Sequence, residues 1–181
     1  MDKILPLIEY GHNHFGENKV QEAFQKWSEI KNKKSNINLH LIGKLQTNKV
    51  KYAIKIFDFI HSVDNKKLAK KIADEQNKFS KKVKIFLQVN LDNETQKSGV
   101  SKDDLKNLFE YCREIELDVL GLMCIPPNNV DPSPFFEELK NLNDKLGLSE
   151  LSMGMSSDYE IALKNSSTYL RIGSDIFGKR S

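Results

Sequence analysis

The sequence predicts an α/β fold in which parallel strands alternate with helices, as in a TIM-like (β/α)8 barrel. Seven short apolar segments are separated by stretches of helical periodicity, a pattern typical of repeated βα units. Several of these segments end in polar turns that contain glycine, as strands do at the functional face of such a barrel. A closed barrel of this type has eight strands, and an open doubly wound sheet rarely has seven parallel strands in so short a chain, so seven visible units suggest that one strand is missing.

The predicted strands are short and apolar, and the third to fifth are richest in β-branched and aromatic residues, which favour strands. In chain order the segments are 14–18, 39–43, 57–63, 84–90, 119–125, 151–155 and 169–173.

The intervening segments carry apolar residues at the spacing of one helix face. These positions are Val20, Ala23, Phe24 and Trp27; Val50, Ala53, Ile54 and Phe57; Leu68, Ile72 and Phe79; Leu105, Leu108, Cys112 and Ile115; and Phe135, Leu139, Leu142 and Leu146. Ser101 is placed to begin one helix, Ser157 with Glu160 matches a capping box for another, and Gly147 is placed to end a third.

The N-terminal segment predicts a helix with no strand before it. Ile4, Leu5 and Ile8 form a short apolar helix face that ends at Gly11. We therefore expect a gap in the barrel between the strands that contain Phe15 and Ile172.

Length favours one compact domain over residues 1–181, and composition argues against several functional classes. The chain has 28 Lys and Arg against 25 Asp and Glu, and this small excess argues against a nucleic-acid-binding protein. Cys112 and Cys124 have no companion ligand nearby and are expected to be reduced core residues. No apolar segment has the length of a membrane span or signal peptide, so we expect a cytoplasmic protein. We separately expect this protein to be a monomer.

The last two predicted βα units carry the features of an anion site. Loops after the seventh and eighth strands of TIM barrels often bind phosphate, and Gly154, Ser156, Gly173 and Ser174 lie in those loops. Glycines let backbone N–H groups approach an anion, hydroxyls donate hydrogen bonds, and the following helix start adds partial positive charge. Simple N-capping remains an alternative for Ser156 and Ser157.

Arg171 stands within an otherwise apolar predicted strand. A guanidinium is costly to bury without a partner, so an anion or an aromatic ring is expected beside it. An internal carboxylate such as that of Glu17 is the alternative partner.

Six motifs in order resemble the pyridoxal 5′-phosphate (PLP) homeostasis proteins over almost the whole chain. They are Phe15-Gly16-Glu17-Asn18 with Val20-Gln21-Glu22; residues 40–49, His-Leu-Ile-Gly-Lys-Leu-Gln-Thr-Asn-Lys; Gln88-Val89-Asn90 with Lys97-Ser98-Gly99; residues 121–126, Gly-Leu-Met-Cys-Ile-Pro; residues 151–156, Leu-Ser-Met-Gly-Met-Ser; and residues 171–178, Arg-Ile-Gly-Ser-Asp-Ile-Phe-Gly.

The resemblance implies a barrel like the N-terminal domain of alanine racemase, with PLP at the carboxyl ends of the strands. It places the phosphate near Ser156, Gly173 and Ser174, and Arg171 beside the cofactor. The implied cofactor-binding residues are Asn18, Met155, Ser156, Arg171, Gly173 and Ser174, with no catalytic residue and no metal.

The family's PLP lysine lies on a first strand that would precede Met1, so the chain is expected to be truncated at its N-terminus relative to the family. Covalent PLP attachment is therefore doubtful in this chain, because another lysine would have to reach the same point. Lys44 and Lys49 are the nearest candidates by loop position, and phosphate attraction or solvation are alternatives for both. A misplaced start and a natural loss of covalent binding both remain open.

The resemblance favours a non-enzymatic PLP carrier or regulator whose partners include PLP-dependent acceptor enzymes. A PLP-dependent racemase-like enzyme is the second hypothesis, since the shared barrel could support chemistry on amino acids. Such an enzyme needs a general base, and none of the four histidines, His12, His14, His40 and His61, belongs to an evident base constellation. A barrel that binds another phosphate ligand is the third.

Overall fold

The protein is described by a computed structural model that covers residues 2–34, 36–92 and 98–178. Lys97, one of the predicted motif residues, lies outside this part of the chain. The strands are β1 (His14–Glu17), β2 (Asn38–Leu41), β3 (Phe59–Val63), β4 (Lys84–Gln88), β5 (Asp118–Met123), β6 (Glu150–Met155) and β7 (Tyr169–Arg171). All seven predicted strands are confirmed, with bounds shifted by one or a few residues.

The helices follow the strands in strict alternation after an N-terminal helix. They are α1 (Leu5–Glu9), α2 (Val20–Lys33), α3 (Val50–Ile56), α4 (Lys66–Phe79), α5 (Lys102–Glu114), α6 (Ser133–Lys145), α7 (Tyr159–Lys164) and α8 (Ser174–Phe177), with a 3₁₀ turn at Thr47–Lys49. Most residues of the predicted helix faces are buried, although Leu5, Phe24 and Phe79 are exposed.

The strands form one parallel sheet in chain order, which curls into a nearly closed barrel. Within the described residues no strand pairing joins β1 to β7, so a gap separates the two edges. The edges nevertheless face each other, because the His14 ring on β1 lies 6.3 Å from the Tyr169 ring on β7. The predicted gap between the strands near Phe15 and Ile172 is confirmed.

Side chains alternate between two environments along each strand, as the pleat of a strand requires. Leu39, Leu41, Ile85 and Leu87 point outward into the large core beneath the helices. A smaller cluster fills the barrel interior and consists of Phe59, Phe86 and Met123, packed against Leu120 and Tyr169. The interior also holds the polar side chains described below.

Two of the three predicted helix start and stop signals are confirmed by the structure, and one is wrong. The Ser101 hydroxyl accepts the N–H of Asp104 at the start of α5, and Gly147 follows α6 with φ +68°. The predicted capping box at Ser157 is wrong, because α7 starts at Tyr159 after Asp158. The Asp158 carboxylate instead accepts the N–H of Met155, which holds the turn between β6 and α7 closed.

Candidate functional site

A break in the register of β6 and β7 shapes the carboxyl end of the barrel. Ser152 lies opposite Tyr169, and Met155 lies opposite Arg171, so β6 advances three residues while β7 advances two. Gly154, with φ +92°, supplies the extra residue. Such bulges redirect the side chains that follow them and are frequent beside functional sites.

Gly154 has a packing role in addition to its predicted place in the anion site. The residue is buried, and a Cβ there would lie 2.6 Å from the Cβ of Ala162 and 3.2 Å from the Cα of Tyr159. A glycine at this position therefore lets α7 approach the end of β6.

Ser156 and the segment after β7 form a small polar cradle. The Ser156 hydroxyl oxygen accepts the N–H groups of Gly173 and Asp175 at 3.3 and 3.4 Å. Both distances are at the long end for hydrogen bonds, so these N–H groups can turn toward a stronger acceptor. A Cβ built on Gly173 meets nothing within 4 Å, so the space beside its backbone is open.

The other predicted cofactor-binding residues lie at the same end of the strands. Met155 is half-buried opposite Arg171, Ser174 is exposed at the first position of α8, and Asn18 is exposed just after β1. Asn18 also packs its backbone against Gly43, where a Cβ would lie 2.3 Å from the Asn18 carbonyl oxygen. The structure thus brings Ser156, Gly173 and Asp175 into contact and places Met155 opposite Arg171.

Arg171 is held by neutral groups. Its Nη1 donates to the Ser152 hydroxyl and its Nη2 to the Cys124 carbonyl, both at 2.8 Å. The alternative partner Glu17 is instead bonded to Lys26 and Trp27 on the helix side of β1. Among the described residues no carboxylate forms an ion pair with Arg171, although Asp158 is near enough to favour its charge.

Burial lowers the pKa of the Arg171 guanidinium, yet an arginine starts so high that it stays charged at neutral pH. Among the described residues the site therefore holds a positive charge whose hydrogen-bond acceptors are all neutral, with the Asp158 carboxylate nearby but not ion-paired to it. An anionic or electron-rich ligand would complement it.

Three histidines and a serine form a polar chain through the barrel interior. Nδ1 of His14 is 2.9 Å from Nε2 of His40, and Nδ1 of His40 is 2.9 Å from Nε2 of His61. Nδ1 of His61 is 2.7 Å from the Ser152 hydroxyl oxygen, which also accepts from Arg171. We call His14, His40, His61 and Ser152 the histidine chain.

The two inner rings of the histidine chain are neutral. Burial, with help from His14, lowers the pKa of His40 to about 3. Burial also lowers the pKa of His61 well below its ordinary value, and the charge of Arg171 acts in the same direction. His40 stacks on Phe59 and His61 on Phe86, so the interior aromatic cluster fixes both ring planes.

The histidine chain was not predicted from the sequence, in which its histidines were interpreted as separate structural or surface residues. One signal was present, because His40 and His61 each interrupt an apolar strand at an inward position. Contact between these rings and Ser152 depends on the closure of the barrel, which strand patterns alone do not specify.

The candidate lysines Lys44 and Lys49 lie in the loop after β2. Lys44 is exposed, and Lys49 ends the 3₁₀ turn that packs beside α4. Thr47 and Asn48 of this turn line a shallow surface cavity of about 370 Å³ with residues of α4.

Comparison with known proteins identifies the family. The alanine racemase N-terminal domain family matches residues 1–181. The pyridoxal phosphate homeostasis protein of Aquifex aeolicus is 42% identical over 92% of this chain and 76% of its own length. That of Synechocystis is 39% identical over 94% of this chain and 82% of its own length.

A solved structure of PipY from Synechococcus elongatus with PLP bound superimposes with a TM-score of 0.90. It is 33% identical and covers 98% of this chain and 87% of PipY. The fold, the ordered motifs and these matches together show that the chain belongs to the pyridoxal phosphate homeostasis proteins, within the alanine racemase N-terminal domain family.

Proposed function

We propose that residues 1–181 act as one PLP-binding domain that serves intracellular PLP homeostasis as a cofactor carrier or regulator. The observation that carries this proposal is Arg171, a charged guanidinium without a carboxylate partner among the described residues, beside an open polar cradle. The relatives, which are pyridoxal phosphate homeostasis proteins, and the PLP-bound structure of PipY support the same ligand.

The cradle suits a phosphate group. The Ser156 hydroxyl and the N–H groups of Gly173 and Asp175 converge at one point and would donate to phosphate oxygens. The exposed hydroxyl of Ser174 would add a donor, and the open space at Gly173 lets an anion approach the backbone.

The remaining residues would hold the ring of the cofactor. Arg171 would face the ring from the barrel side, Met155 would pack against it, and Asn18 would border it from β1. PLP supplies a reactive aldehyde when it is bound, and these residues orient it and shield it from solvent.

We propose that the protein binds and releases PLP without turnover, as a cytoplasmic monomer that supplies PLP-dependent acceptor enzymes. The naming of its relatives as homeostasis proteins supports this choice over a racemase-like enzyme. In the described part of the chain no helix combines the length and apolarity of a membrane span.

Titrations with PLP, pyridoxal and inorganic phosphate test the proposal. We expect saturable 1:1 binding of PLP, weaker binding of pyridoxal because it lacks the phosphate, and competition by phosphate only at much higher concentration. Equal affinity for PLP and inorganic phosphate would instead identify a general phosphate site. Conversion of alanine enantiomers by the PLP-loaded protein would restore the racemase hypothesis.

A borohydride experiment tests how PLP is held. We expect reversible binding, so that reduction followed by peptide mass spectrometry finds no stoichiometric adduct at Lys44 or Lys49. An adduct at either lysine would show that this loop captures the cofactor.

A further inference from the structure

The histidine chain extends well beyond the atoms that would contact a ligand. It begins at His14, an exposed residue at the barrel gap, and crosses the interior through His40 and His61 to Ser152. Ser152 is fully buried and bonded to Arg171, so one end of the chain reaches the candidate site. Interior packing alone does not require three linked imidazoles, because apolar side chains would fill the same space.

The hydrogen bonds of the chain have one consistent direction. Arg171 can only donate to Ser152, and within the described residues the Ser152 hydroxyl oxygen has one other partner, Nδ1 of His61. The hydroxyl proton of Ser152 is therefore satisfied only if it points to His61.

The direction of the Ser152 hydroxyl determines the tautomer of each histidine ring in turn. A neutral imidazole that accepts at Nδ1 carries its proton on Nε2. His61 then donates from Nε2 to His40, and His40 donates from Nε2 to His14. Neutral His14 then carries its proton on Nε2 at the exposed end of the chain. The side-chain nitrogen of Asn38 lies 3.4 Å from this atom, so Asn38 can accept the hydrogen bond only when its amide is rotated to present its oxygen.

The direction matters for Arg171 because a hydroxyl that donates to His61 presents its lone pairs to the guanidinium. The opposite direction would make Ser152 accept from both His61 and Arg171 and would leave its own proton without an acceptor. Such a buried, unpaired donor is costly and would loosen the contact that holds Arg171.

We propose that the histidine chain is a positioning device for Arg171, in which His61 and His40, both in the Nε2–H form, fix the Ser152 hydroxyl and thereby aim the guanidinium at the ligand site. This inference rests on the proposed function, since Arg171 is taken to face bound PLP. His40, His61 and Ser152 are positioning residues that act through Arg171 and do not touch the ligand.

Imidazole ¹⁵N NMR of the ligand-free, labelled protein at pH 7 tests the chain without PLP. We expect His40 and His61 to be neutral Nε2–H tautomers, and Ser152→Ala to shift the Nδ1 resonance of His61. A charged ring or an Nδ1–H tautomer at either position would overturn the proposal, as would an Arg171 Nε resonance that is identical in the wild type and in His61→Phe.

PLP titration of a double-mutant cycle tests the consequence for binding. His61→Phe preserves the stack on Phe86 but removes both hydrogen bonds, and we expect it to weaken PLP binding about tenfold. Ser152→Ala should have a similar effect, and the double variant should be no weaker than the single ones, because both act through one contact. His12→Phe, outside the chain, is the matched control and should bind as the wild type does.

The outcomes separate this inference from the proposed function. If the wild type binds PLP and the two effects are additive, or His61→Phe binds normally, the positioning role is refuted while PLP binding stands. If the wild type does not bind PLP, the proposed function fails, and the NMR tautomers and the Arg171 resonance still decide whether the chain positions Arg171. Circular dichroism of each variant shows whether it folds. The imidazole NMR spectra of the wild-type protein test the tautomers even if a variant does not fold.

Discussion

At the scale of single residues, the candidate site consists of groups that ordinary packing leaves incompletely satisfied. The two N–H groups that meet at Ser156 have long hydrogen bonds, and Arg171 has only neutral acceptors. By contrast, the Asp58 carboxylate at the opposite end of the barrel accepts hydrogen bonds from Lys31 and from the N–H of Leu39.

Replacement of Ser156 by alanine tests the cradle at this scale. We expect PLP to bind about 10- to 100-fold more weakly, because a hydrogen bond to a charged group contributes about 1.5–3 kcal/mol. Ser157→Ala, at the exposed neighbouring position, is the control and should leave the affinity unchanged. Equilibrium titration measures both, and equal affinities for the two variants would contradict the assignment of Ser156.

At the scale of elements, the turn from β6 into α7 connects the fold to the site. The bulge at Gly154 allows Ser152 to point into the barrel while Ser156 reaches the segment after β7. Both serines belong to the same short segment, yet one holds Arg171 and the other meets Gly173.

Two glycine substitutions separate the packing role of this segment from its binding role. Gly154→Ala should destabilise the protein by about 2 kcal/mol or more, because it combines a φ of +92° with overlap against α7. Gly173→Ala should leave stability almost unchanged, since its Cβ enters open space, but should weaken PLP binding by narrowing the cradle. Urea unfolding and PLP titration of each variant provide the measurements. A stable Gly154→Ala, or a Gly173→Ala that binds PLP normally, would contradict this division.

The sequence was most informative at this scale, because the local pattern of each βα unit matches its final environment. Apolar residues at Leu39, Leu41, Ile85 and Leu87 specify outward faces whichever way the barrel closes. The predicted cap at Ser157 was wrong because the Asp158 carboxylate accepts the N–H of Met155, a contact that depends on the bulge. The partners of Arg171 and the histidine chain were not predictable, since they join residues of β1, β2, β3, β6 and β7 across the interior.

At the scale of the whole molecule, the neutral histidines link barrel closure to pH. His40 is faced by His14, Asp58 and Lys31, and His61 by His40 and Arg171. Both rings have folded-state pKa values below the unfolded value of 6.5, so the unfolded chain binds more protons as the pH falls below 6.5. Acidification therefore destabilises the fold, and for His40 the loss continues until the pH approaches 3.

We expect the free energy of unfolding to fall between pH 6.5 and 5, by up to about 1.4 kcal/mol per pH unit for each buried histidine. Urea unfolding at several pH values measures this slope, and His61→Phe should reduce it because one titrating ring is removed. Carboxylates contribute mainly at lower pH, outside this window. Equal stability at pH 7 and 5 would show that the rings are not held neutral.

The measurement that tests the central claim most directly is backbone amide NMR of the labelled protein during titration with PLP. We expect the largest shift changes at Ser156, Gly173 and Asp175, because their backbone forms the proposed phosphate cradle. We expect little change at Thr47 and Asn48, which line the surface cavity beside α4. Largest changes at that cavity, or no saturable change at all, would contradict a PLP site at the carboxyl end of the barrel.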